Sequence, residues 1–136
     1  MAIEWKDDLA IGVLEVDNQH KELFKKVSDL FEACTAGKGK EEISQVVSYL
    51  EDYVVVHFRD EEGLQAKYSY PEFESHKKQH EQFIKDFIAL KEKLQFEGPT
   101  ATVIIQLNHT LVNWLINHIR KTDKALGAFL REKGIV

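Results

Sequence analysis

The chain is poor in features that mark several common protein classes, and each scarcity narrows what it can be. Its single cysteine, Cys34, leaves no internal disulfide to form and no thiolate set for a soft metal site. Basic residues are outnumbered, 18 Lys and Arg against 23 Asp and Glu, and the lysines are interleaved with glutamates rather than gathered in a stripe. Phosphate backbones need such a stripe, so nucleic acid is excluded as a partner. The opening MAIEWKDDLA has no long apolar run, which argues against a signal peptide or membrane insertion and predicts a cytoplasmic protein. Two prolines and no low-complexity tract leave long stretches free to be helical.

What is present is a helical rhythm. Apolar residues recur every three or four positions, which predicts an all-α fold. Its architecture is expected to be an antiparallel up-and-down four-helix bundle with an extended N-terminal arm and a short C-terminal helix. A length of 136 residues fits one domain, 1–136, able to bury a core without metal staples, so any metal would serve function.

The first helix is expected from Asn18 to Cys34, with Asp17 as its N-cap and Gly37-Lys38-Gly39 as its stop. Its inward stripe reads Val16, His20, Leu23, Phe24, Val27, Leu30, Phe31. The second runs from Glu41 to Ala66 on Ile43, Val46, Leu50, Val54, His57, Glu61 and Leu64, with Gly63 weakening its end. The third opens at Pro71 and closes at Gly98-Pro99, on Phe73, His76, His80, Phe83, Phe87, Leu90 and Leu94. The fourth starts near Thr100 and carries Val103, Leu107, Leu111, Trp114, Leu115 and His118. The arm, Met1 to Val16, offers Trp5, Leu9, Ile11, Val13 and Leu14. The short helix from Lys124 to Lys133 would dock through Ala125, Leu126, Phe129 and Leu130.

Seven metal-ligand residues interrupt these apolar faces: His20, His57, Glu61, His76, His80, His118 and Asp123. Such groups are costly to bury unpaired, and a metal is the simplest partner that several helices could share. His57 and Glu61 stand four apart, as do His76 and His80, so each pair lies one turn apart on one face. Taken singly, the first pair reads as a surface ion pair, the second as solvated histidines, and His20 as a first-turn histidine bonded to Asp17. Their shared faces with Ile43 to Val54 and with Phe73, Phe83 and Phe87 favour the metal.

The step from His118 to Asp123 is out of phase, since five residues advance an ideal helix about 140° past a full turn. The helix is therefore expected to loosen or end between them, although Thr122 and Asp123 could instead cap the helix that follows. His109 serves as a control: it lies nine residues before His118, about 180° around the helix, and should face away.

If both carboxylates bridge two metals, the seven side chains supply nine ligand positions and a shared oxide or hydroxide supplies two more. Two octahedral ions need about twelve, so one position stays open. An open position on a redox-capable dinuclear centre is what dioxygen requires. Closed four-ligand zinc sites do not fit, nor do the Glu-x-x-His pairs of ferritin-like carboxylate centres, which this chain lacks.

At this point the chain resembles the hemerythrin family, specifically its single-domain bacterial members, the bacteriohemerythrins. The likeness is carried by the Trp5 arm, the Gly12 to His20 entry ending in Asp17-Asn18-Gln19-His20, His57 to Glu62, His76 to His80, and Trp114 to Asp123. It spans nearly the whole length, and all seven ligand positions are filled. The resemblance implies two non-heme irons, cycling between ferrous and ferric, joined by an oxo or hydroxo bridge. His76, His80 and His118 would hold one iron, His20 and His57 the other, and Glu61 and Asp123 would bridge them. Dioxygen would bind end-on at the iron of His20 and His57, taking electrons from both irons and a proton from the bridging hydroxide, and release would reverse this.

The function so implied is reversible dioxygen binding for storage, transport or delivery to an oxygen-consuming enzyme, by a monomer that is not itself an enzyme. Oxygen sensing through a separate partner, di-iron oxidase or peroxidase activity, and iron or zinc handling are the competing readings.

Overall fold

Helix formation begins where the arm's alternation gives way to the three-to-four rhythm. A computed structural model describes residues 3–136. Helix α1 spans Leu14–Thr35, α2 Lys40–Lys67 and α3 Phe73–Glu97. The remaining stretch is helical almost without interruption: α4 (Ala101–Leu107), a π-helical segment (Asn108–Asn113), α5 (Trp114–His118), a second π-helical segment (Ile119–Asp123) and α6 (Lys124–Glu132). No strand occurs among the described residues, and helices adjacent in sequence pack against one another. The arm is extended apart from a 3-10 turn at Asp7–Leu9.

The entry to α1 corrects the expected cap. The helix starts at Leu14, and Asp17 lies buried in its first turn instead of preceding it. Its Oδ1 accepts from the Ile11 backbone N–H at 2.8 Å and its Oδ2 from that of Gly12 at 3.2 Å. The reason is accounting for buried donors: the arm inserts Leu9, Ile11 and Val13 into the core, and its N–H groups need acceptors there. Leu14, expected among the arm's apolar contacts, is 66% exposed.

Two inward positions of α2 are also shifted by one. Val47 and Gln65 are buried, while Val46 and Leu64 sit at the flank, because the helical drift of 3.6 residues per turn carries the face from Ile43 through Val47 and Leu50. The helix runs through the exposed Gly63 to Lys67. It closes at Ser69, whose φ of 54° lets Tyr70 N–H reach back to the Gln65 carbonyl at 2.8 Å. Thr100 caps α4, its hydroxyl accepting from Val103 N–H at 3.2 Å.

At the other terminus, α6 docks through Leu126, Gly127 and Leu130, with Phe129 partly buried, whereas Ala125 is exposed. A Cβ on Gly127 would lie 2.3 Å from the carbonyl oxygen of Ile11, so arm and helix meet backbone to backbone. The Arg131 guanidinium donates to the same carbonyl. Between these ends the core is filled by Leu23, Val27, Leu30, Leu50, Val103 and Leu111, all fully buried, each such side chain stabilising by roughly 1.5–3 kcal/mol.

Candidate metal centre

Antiparallel packing brings together residues that occur early in one helix and late in the next. His20 lies near the start of α1, His57 and Glu61 late in α2, His76 and His80 early in α3, and His118 at the end of α5. None of these, nor Asp123, is more than 5% exposed. Asp123 joins them because the helix widens without ending: Ile119–Asp123 is π-helical, a turn closed by i→i+5 bonding, which brings residues five apart onto one side. The alternative of Asp123 as a cap for α6 is not seen, for its backbone is helical and its side chain makes no capping bond.

The seven donors form two groups that share Glu61. One contains Glu61, His76, His80, His118 and Asp123, and the other His20, His57 and Glu61. Each carboxylate divides its two oxygens between the histidine sets. Glu61 Oε1 lies 2.7 Å from His76 Nε2 and 3.3 Å from His80 Nε2, while its Oε2 lies 3.6 Å from His20 Nε2 and 3.4 Å from His57 Nε2. Asp123 Oδ1 lies 3.0 Å from His76 Nε2 and 3.1 Å from His118 Nε2, and its Oδ2 lies 3.2 Å from His20 Nε2.

These close approaches do not pair the atoms as hydrogen bonds. Nε2 of His20 and of His76, both oxygens of Glu61 and Oδ1 of Asp123 are buried without a hydrogen-bond partner. An unsatisfied buried polar group costs about 1–3 kcal/mol, so such a concentration at one point needs a shared partner. Lone pairs converging from imidazoles and carboxylates fit a cation, and the histidine-rich, thiolate-free set suits iron among other borderline metals.

Protonation shows how the centre behaves without a cation. Burial disfavours the charged form of His20 and His76, yet the Asp123 and Glu61 carboxylates outweigh it and raise both to about 9. His57 is lowered to about 4 by burial, which the attraction of Glu61 does not overcome. Glu61 and Asp123 are themselves buried, which works against their ionisation, but the surrounding histidines hold both well below the usual carboxylate range.

A further layer faces the outer nitrogens. His57 Nδ1 donates to Gln19 Oε1 at 2.7 Å, His80 Nδ1 to Glu62 Oε2 at 2.8 Å, and His118 Nδ1 to Gln79 Oε1 at 2.9 Å. Asp60 accepts from the Gln19 amide nitrogen at 3.1 Å, and Thr122 Oγ1 donates to Gln79 Oε1 at 3.0 Å, so both amide orientations are set. Sequence reasoning assigned no role to Gln19, Glu62 or Gln79. The one available signal was adjacency, since each neighbours a donor in its own helix while serving a histidine on another. Around this layer Phe58 stacks on His80 at 3.8 Å and Trp114 on His118 at 4.4 Å between ring centroids. His109 stands apart: it is exposed, and its Nδ1 accepts from the Asn113 amide at 3.2 Å.

The model of the hemerythrin HHE cation binding domain matches residues 12–130. The chain belongs to the hemerythrin family. Bacteriohemerythrin of Pseudomonas aeruginosa is 35% identical over 119 residues, covering 88% of this chain and 75% of the relative. Bacteriohemerythrin of Methylococcus capsulatus is also 35% identical, over 114 residues that cover 84% of this chain and 85% of the other. A crystal structure of wild-type hemerythrin superposes with a TM-score of 0.82 at 30% identity, covering 94% of this chain and 97% of that one. The all-α bundle is thus that of a hemerythrin domain, and it encloses a buried His/Glu/Asp cluster that could hold a metal ion. No helix among the described residues is long and apolar enough to cross a membrane.

Proposed function

We propose that this hemerythrin domain binds dioxygen reversibly at a pair of irons held by His20, His57, Glu61, His76, His80, His118 and Asp123. The observation that carries the reading is the division of both carboxylates, one oxygen toward each histidine set. On that basis His76, His80 and His118 would hold one ion and His20 and His57 the other, with Glu61 and Asp123 each offering an oxygen to both sides. With three histidines on one side and two on the other, the side of His20 and His57 would be the one with room for dioxygen. Held there, a pair of irons would supply the electrons that reversible dioxygen binding needs.

The protein's own residues do the rest. Gln19, Glu62 and Gln79 keep three imidazoles turned so that Nε2 faces inward. Phe58 covers one face of His80 and Trp114 one face of His118, and a dry surrounding slows proton delivery and loss of reduced oxygen. Donors this deeply enclosed suit a diatomic gas better than an organic substrate, which supports a carrier or store that hands oxygen to an oxygen-consuming enzyme.

The test begins with metal analysis, which should give close to two irons per chain under iron-replete expression. A single ion, or zinc that persists, would sink the di-iron reading. Optical spectra taken on the diferrous protein, then after aeration, then after oxygen removal should return to the start. Irreversible oxidation, or fast multiple-turnover oxygen uptake with a reductant, would make the protein an enzyme instead.

A further inference from the structure

Three histidines of the centre have outer acceptors, and one acceptor differs in kind. Gln19 and Gln79 offer neutral amide oxygens, whereas Glu62 offers a carboxylate to His80. A carboxylate accepts and does not donate, so the proton of a neutral His80 must sit on Nδ1 and the Nε2 lone pair must face the centre. That Nε2 lies 3.3 Å from Glu61 Oε1 and 3.1 Å from His118 Nε2, within the donor group it serves. The ring is held on a second side as well, because Phe58 stacks flat on it with 3° between the planes. Charge-assisted bonds are roughly twice as strong as neutral ones, and a carboxylate behind a ligating imidazole makes it a better electron donor.

We propose that Glu62 is a positioning residue that fixes the tautomer and raises the donor strength of His80, tightening metal binding at the three-histidine position and favouring its more oxidised state. The tautomer and affinity parts rest on the geometry of Glu62 and His80. The redox part rests on the di-iron reading above. Because the carboxylate serves one histidine set alone, its effect is lopsided: it adds negative charge beside His80, while His57 across the centre has an amide. The Glu62 side chain is 20% exposed, so its bond to His80 is built at the rim of the fold and its replacement leaves the apolar core untouched.

The experiment compares full-length wild type with Glu62→Gln, Glu62→Ala and the control Glu81→Gln, an exposed carboxylate beside His80 in sequence. Cobalt(II) binding to the metal-free proteins, measured by chelator competition, should weaken by about 10–100-fold in Glu62→Ala. It should weaken by less than about tenfold in Glu62→Gln, which keeps an acceptor without the charge, and be unchanged in Glu81→Gln. Iron-loaded Glu62→Gln, poised at the wild-type midpoint potential, should show a several-fold lower ferric-to-ferrous ratio. A role confined to packing would not move that ratio. Wild-type cobalt affinity in Glu62→Ala, or an unchanged ratio in Glu62→Gln, overturns the proposal, and if the alanine variant does not fold the glutamine variant decides alone. Should wild type itself fail to hold two irons, the functional reading falls while the cobalt comparison still decides the role of Glu62.

Discussion

His109 and His118 stand nine positions apart on one helical stretch, and only the second is buried among other donors. His109→Ala should therefore retain wild-type iron content, while His118→Ala should lose iron or hold it in altered stoichiometry. Metal analysis of both variants checks this, and equal loss would mean that His109 contributes in a way its exposed position does not account for. That these seven side chains would meet in the interior was legible in the sequence, because ionisable groups standing in apolar stripes are costly without a partner. Gln19, Glu62 and Gln79 were not legible, because a polar residue at a helix flank looks like ordinary surface until the neighbouring helix is in place. Asp17 was read from its residue type as a cap, although it spends its carboxylate on the arm.

Helices were legible as elements, and their ends and irregularities much less so. Periodicity located all four, yet it assumes a constant 3.6 residues per turn, and the two π-helical segments violate that assumption. The only trace of the second segment was a His118 to Asp123 step that fitted no regular face. Two glycines test how far local propensity governs these elements. Gly63 has open space around it in mid-helix, so Gly63→Ala should stabilise the fold by about 0.5–1 kcal/mol. Gly127 is also helical, but an added Cβ meets Ile11 backbone, so Gly127→Ala should destabilise by about 1–3 kcal/mol. Denaturant unfolding of the two variants should give opposite signs, and a stabilised Gly127→Ala would show that the arm is loosely held.

At the scale of the molecule, the centre couples stability to metal and to pH. Removing iron should lower the melting temperature, because binding to the native state alone stabilises it. In the metal-free protein His20 and His76, held at about 9, contribute stability that is complete below about 6.5 and lost as pH rises through 9. Glu61 and Asp123, held low, contribute above the ordinary carboxylate range and lose it as pH falls. His57, lowered to about 4, adds a penalty as pH drops from about 6.5 toward 4. Thermal melts of metal-free protein should therefore peak near pH 6 to 7 and decline toward pH 9, and a steady rise over that upper range would contradict the assignment. Metal displaces the protons on His20 and His76, so its affinity should increase over the same interval.

His20 and Asp123 meet although they stand 103 positions apart in the chain. With a cation shared between them, they would become a clasp joining the first helix to the second π-helical segment, and closing so long a loop would restrict the unfolded chain much as a distant disulfide would, a restraint of order 4–5 kcal/mol in the chain-entropy view. A protein with one buried cysteine would thus acquire its cross-link through coordination, and unlike a covalent bridge this one could be undone by a chelator. If iron is that cation, resistance to proteolysis should follow its supply: the metal-free chain would lack the cross-link and be cut faster than the loaded one, so that iron would set how long the protein persists as well as whether it can work.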